Sequence, residues 1–200
     1  MTMNILVAGA TGKTGRQVLQ ALIDQGHKPT ALVRESSDTS DLPHDVDLRN
    51  GDLTDLPSDV CDKMDVVIFA AGSGGATSAE MTDKVDRDGA KKLVDLAARS
   101  GVKRFVMLSS VGADKVNPTG ELAHYLKAKH EADAHLKASG LTYAILRPVA
   151  LTDDARHEDV TLGDGVDKSA TAARADVAYL LAEAATTGRL DGQALNMQSS

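Results

Sequence analysis

The apolar run Asn4-Ile5-Leu6-Val7-Ala8 leads directly into Gly9-Ala10-Thr11-Gly12-Lys13-Thr14-Gly15. The residues that follow place Val18, Leu19, Leu22 and Ile23 at helical spacing, so the glycines fall on a turn from a buried strand into a helix. Glycine lets such a turn tighten, lets backbone approach a ligand with no Cβ in the way, and lets the helix pack closely on the strand. Free N–H groups at the helix start attract anions. An ordinary strand-to-helix turn explains the glycines less well than a dinucleotide-binding turn, because the motif sits in the strand–turn–helix context that the chemistry requires.

Short apolar runs alternate with helical patterns along almost the whole chain, as a parallel sheet covered on both faces demands. The runs predict strands at residues 4–8, 29–33, 45–49, 65–69, 104–108 and 142–146, with a last one at 194–197. Helices are expected over 12–25, 82–100, 120–139 and 174–187, each stopping at or before Gly26, Gly101, Gly140 or Gly188. Residues 152–172 are polar and weakly patterned, which predicts a loop with at most a short strand near 160–162. The expected fold is a Rossmann-type α/β domain spanning residues 1–200, a doubly wound and mainly parallel sheet, with 149–200 forming a small substrate-side appendage.

Composition narrows the function. A chain of 200 residues with 42% hydrophobic content buries a sizeable core. A net charge of −7 and a pI near 5.3 argue against nucleic-acid or anionic-membrane partners. With 2% aromatic residues and no Trp, base stacking has little to work with. The single Cys61 excludes an intramolecular disulfide, and neither a signal-peptide layout nor a membrane-length apolar stretch is present, so the expected location is the cytoplasm.

Positions around the predicted crevice can be named, since ligands of such sheets bind at the carboxyl ends of the strands. Arg34 closes the second strand, where an acidic residue would hold the ribose hydroxyls of NAD and an arginine would accept the 2′-phosphate of NADP. Arginine there favours NADP, with Ser36, Ser37 and Lys13 as helpers; Glu35 leaves NAD open. Asp52 and Leu53 are placed to meet the adenine, and Ala70, Ala71 and Gly72 to line the pyrophosphate and ribose. Tyr125 and Lys129 lie four apart on a predicted helix and so share a face. Ser109 and Ser110 end the preceding strand.

The turn Gly9–Gly15, Gly51-Asp52-Leu53, Leu108-Ser109-Ser110, and the run from Ser139 through Tyr143 and Leu146 to Arg147-Pro148 resemble atypical short-chain dehydrogenase/reductases. The nearest group is the small NAD(P)-binding, NmrA-like and flavin-reductase-like proteins, and Arg174-Ala175-Asp176-Val177-Ala178 fits its pattern too. The resemblance implies hydride transfer between nicotinamide and a substrate carbonyl. Tyr125 would exchange the proton, Lys129 would supply nearby positive charge, and Ser110 would hold the substrate oxygen. Ser109, Lys129, Pro148 and Val149 would border the cofactor. Val149 departs from the glycine expected after Arg-Pro in many relatives, which bears on the pocket beside the nicotinamide. Some members of the group bind cofactor without turnover.

Other clusters read as structural. His130 and His135 are five apart, about 140° around a helix, and do not converge on a metal as an i, i+4 pair would. His157, Glu158 and Asp159 read as surface loop, Cys61 has no nearby histidine, and Asp86 and Gly89 read as helix packing. No metal is expected. The leading expectation is an NADP-dependent reductase of a small carbonyl, quinone-like or flavin substrate. The alternatives are a cofactor-ratio sensor that signals through a protein partner and, with less support, a sugar-nucleotide epimerase or dehydratase. A homodimer is compatible with the long helices.

Overall fold

Ile5 and Val7 point to one face of the sheet and Leu6 and Ala8 to the other, and each set is buried in its own apolar cluster. Strands buried on both faces need helices on both sides. The computed structural model describes every residue except Met1, residues 73–77, Glu158 and Ser200. Its main sheet runs β3-β2-β1-β4-β5-β6-β10-β8. The strands are β1 Asn4–Ala8, β2 Lys28–Val33, β3 Asp47–Asn50, β4 Val66–Phe69, β5 Arg104–Leu108, β6 Thr142–Pro148, β8 Val160–Leu162 and β10 Gln193–Ser199. All pairs are parallel except β8 on β10. This is the doubly wound Rossmann-type arrangement expected from the alternating pattern.

Helices α1 (Lys13–Asp24) and α5 (Arg174–Thr187) pack side by side over one face. The other face carries α3 (Ala90–Arg99) and α4 (Ala123–Ala138). β10 pairs with β6 from Gln193↔Ala144 to Met197↔Pro148, so the last strand belongs to the main sheet. Between β6 and α5 the chain makes a separate parallel pair, β7 (Ala150–Thr152) with β9 (Thr171–Ala173), which the weak patterning of this segment did not predict.

Boundaries moved where local chemistry overrode the apolar pattern. The helix predicted from residue 120 begins at Ala123, because Gly120 sits at φ +89°, outside right-handed helical geometry. The helix predicted from residue 82 begins earlier, at α2 (Ala79–Thr82), where the Ser78 hydroxyl accepts the Met81 N–H and caps the first turn. Between α2 and α3 the helix widens into a π-helical stretch, Asp83–Gly89. β3 starts two residues later than its pattern implied and lies at an exposed edge, where burial gives little signal.

Candidate functional site

The glycine turn leaves no room for side chains at two of its positions. Gly9 has φ +80°, and a Cβ there would lie 2.5 Å from the Ala71 nitrogen, so the end of β4 is pressed against the turn. A Cβ on Gly15 would lie 2.0 Å from the Gly9 carbonyl oxygen. The turn is closed by the Gly12 N–H donating to Gly9 O at 3.1 Å. Gly12 caps α1 with no side-chain hydrogen bond, and the first helical turn carries no acid. Those N–H groups and the helix dipole therefore favour an anion. Thr11 is half-buried beside them, while Thr14 and Ala71 are buried and Gly72 is exposed.

At the ends of β2 and β3 lies an open cavity of about 640 Å³, lined by Arg34, Glu35, Ser36, Asn50, Gly51, Asp52 and Asp55 among others. Arg34 and Asp52 thus line one cavity. The Asp52 carboxylate accepts the Thr54 N–H and hydroxyl, each at 2.8 Å. The Thr54 backbone bond, with a smaller contribution from Arg34, holds its carboxyl below the usual range against the opposing effect of burial. Ser37 accepts the Arg34 N–H at 3.1 Å and shapes the turn. Lys13 does not join this cavity: its ammonium donates to Asp153 Oδ2 at 2.5 Å. Arg16, one helical turn along, pairs with Asp41 instead.

Tyr125, Lys129 and Asp133 form an i, i+4, i+8 stripe on α4. Tyr125 is half-buried, with the Lys129 Nζ 5.6 Å from its ring centre. Lys129 is 2% exposed and its ammonium is fully engaged. It lies 2.9 Å from Asp86 Oδ1 and donates to the carbonyls of Ala71 at 3.3 Å and Leu108 at 3.5 Å. It thereby ties the ends of β4 and β5 together. Burial opposes its charge, but the surrounding Tyr125, Asp86 and Asp133 outweigh that and hold the ammonium above its ordinary range. Asp133 forms a second buried pair, accepting from Arg147 at 2.9 Å. Burial pushes the Asp133 carboxyl up against the opposing pull of Arg147, Ser109 and Lys129.

The two serines divide. Ser109 is buried and faces Asp133, while Ser110 is half-buried and makes a long 3.4 Å contact to the Val111 carbonyl. Val149 is buried in the core on the α1 and α5 side, and its N–H donates to Met197 O. Pro148 accepts from the Val111 N–H and so sets the turn after β6.

Asp86 and Asp133 are the residues that the sequence concealed. Asp86 falls in the π-helical stretch, whose widened turn breaks the 3.6-residue period by which its facing is judged. Asp133 lies four residues beyond Lys129 on the same stripe, and its partner Arg147 comes from β6, far away in sequence. Gly89 does pack: a Cβ there would lie 2.7 Å from Leu53 O. His130 bonds the Ala113 carbonyl and His135 bonds Asp95, so the two rings diverge. Burial pushes the Cys61 thiol up to about 12, which leaves it a weak nucleophile. His157 donates its N–H to Asp176, and Glu158 lies outside the described residues. Among the described residues no helix is long and apolar enough to cross a membrane.

Comparison with known proteins gives the family. A Bacillus subtilis protein named uncharacterized sugar epimerase YhfK is 36% identical over 158 residues, covering 76% of this chain and 74% of its own. The structure of a Bacillus halodurans protein, provisionally described as an NAD-dependent epimerase/dehydratase, superposes with a TM-score of 0.90 at 34% identity, covering 99% of this chain and 94% of its own. The oxidoreductase ylbE from Lactococcus lactis gives 0.86 at 30% identity, covering 99% and 91%. The NAD(P)H-binding family model matches residues 9–187, and it is to this family of NAD(P)-binding, Rossmann-type proteins that the chain belongs.

Proposed function

We propose that this protein is a cytoplasmic NAD(P)H-dependent oxidoreductase that reduces a small carbonyl, quinone-like or flavin substrate. The observation that carries the reading is the placement of Tyr125, half-buried at the start of a stripe whose next member is the buried Lys129, whose ammonium donates to the Leu108 carbonyl two residues before Ser110. A bound nicotinamide supplies the hydride. Tyr125 gives the substrate oxygen its proton, with the Lys129 ammonium fixed 5.6 Å from its ring centre. Ser110 holds the substrate oxygen. Lys129 acts by its field and by fixing the crevice floor, since Asp86 and two carbonyls already occupy its donors. Arg34 in the cavity at the end of β2 supports a preference for NADP over NAD.

One observation favours the second reading, a cofactor-ratio sensor acting through a protein partner: Asp86 compensates the Lys129 charge and so weakens the pull on Tyr125. A sugar epimerase or dehydratase draws on the names of two relatives. It has little material here, since β7, β8 and β9 are three residues each in the segment before α5.

Oxidation of NADPH by a panel of quinones, flavins and small carbonyls, compared between wild type and Tyr125→Phe, tests the assignment. The expected loss is about 10²–10⁴-fold in turnover with NADPH affinity unchanged. Unchanged turnover removes the acid/base role, and NADPH binding with no oxidation across the panel favours the sensor.

A further inference from the structure

Asp153 stands between two cations that belong to different helices. One carboxylate oxygen accepts from Lys13 Nζ at 2.5 Å and the other from Arg174 NH1 at 2.5 Å. Lys13 opens α1 immediately after the glycine turn, and Arg174 opens α5, the helix packed beside it. Two cations and two adjacent helix starts therefore converge on a single oxyanion, one edge of which is the diphosphate cradle. We infer that Arg174 is a further ligand of the cofactor's diphosphate, acting with Lys13, and that the Asp153 carboxylate holds their place until the diphosphate displaces it.

Three observations carry this. The place selects for negative charge: Lys13 and Arg174 hold the Asp153 carboxyl below its usual range. The occupant is easily exchanged, because Lys13 and Asp153 are 62% and 56% exposed, and exposed ion pairs hold weakly. The rest of the first turn of α5 does not compete. Its one acid, Asp176, is buried and already accepts from the Ser199 hydroxyl at 2.6 Å and from the His157 N–H. A diphosphate brings more charge than one carboxylate and gains the N–H groups of the turn as well. Arg174 offers a planar fork that suits phosphate oxygens, which a lysine lacks.

The inference rests on the family's cofactor and concerns residues outside the adenosine and nicotinamide ends, so its test reads binding and not turnover. Calorimetric titration with NADPH, NADH and ADP-ribose separates the terms, with circular dichroism verifying that each variant is folded. Arg174→Gln is expected to weaken all three by about tenfold and by the same factor, since all three carry the diphosphate. Asp153→Asn is expected to tighten all three by about threefold. That gain should vanish in the Arg174→Gln, Lys13→Gln background, where no cations remain to be released. Unchanged binding by folded Arg174→Gln overturns the ligand role. Weaker binding by Asp153→Asn overturns the displacement and makes the carboxylate a brace. Should wild type bind none of the three, the cofactor reading itself fails, a result distinct from either.

Discussion

The crevice is ringed by charge, but its two sides hold charge in opposite ways. Under the Tyr125 end, Asp86–Lys129 and Asp133–Arg147 are sealed among apolar side chains, with no partner more than 8% exposed. Beside the glycine turn, Lys13 and Asp153 stand more than half exposed. Buried charges are costly to separate and so fix geometry, whereas exposed pairs are cheap to open and so can be exchanged for a ligand. The difference suits the chemistry proposed for each side: a proton donor needs a fixed electrostatic frame, and a diphosphate needs a place that it can enter.

Removing one partner of the sealed pair should produce the largest effect. Lys129→Met leaves the Asp86 carboxylate buried without its ammonium and is expected to cost about 3–5 kcal/mol in urea unfolding. Asp86→Leu combined with Lys129→Met should recover most of the loss, because both buried charges of the pair are then gone. The pH dependence gives an independent sign. The folded chain holds the Lys129 ammonium above its ordinary value of 10.5. The contribution of that charge is therefore fully present below 10.5 and is lost as pH rises through the folded-state value. The stability gap between wild type and Lys129→Met should narrow in strong alkali; a gap that stays constant would show that the lysine stabilises by packing alone.

The exposed side was the easier one to read from residues. Gly9 and Gly15 announce their turn because no other residue type fits beneath the Gly9 carbonyl or against Ala71. Arg34 follows from the end of a strand whose apolar run is plain, and Asp52 from the turn after an edge strand that the pattern placed to within two residues. The sealed side depends on contacts between distant segments. Asp86 reaches Lys129 only because a π-helical stretch turns it inward, and Arg147 meets Asp133 only once β6 lies beneath α4. The Tyr125 and Lys129 spacing was legible, but not the partner that compensates the lysine. Lys13 was visible as a cation near phosphate. Its partner Asp153 lies in a segment with too little pattern to place.

An intermediate effect is expected in the adenosine cavity, where Arg34 shares open space with Glu35, Asp52 and Asp55. Arg34→Ala should weaken NADPH binding by about tenfold or more relative to NADH, the cost of losing a charge-assisted bond to the 2′-phosphate. Equal losses for the two cofactors would remove Arg34 as a phosphate ligand and leave Glu35 to hold ribose hydroxyls.

The smallest expected effect belongs to the exposed bridge. Asp153→Asn removes the carboxylate shared by Lys13 and Arg174 but leaves no charge buried, and both cations keep access to water and salt ions. Its urea midpoint in the absence of cofactor should match wild type at physiological ionic strength. Only at low salt, where screening is weak, should a small loss appear. A large loss at physiological salt would show that the bridge holds α1, α5 and the segment after β7 in place. The contrast between a fixed side and an exchangeable side would then fail, because both ends of the crevice would be held by charge that the fold cannot release.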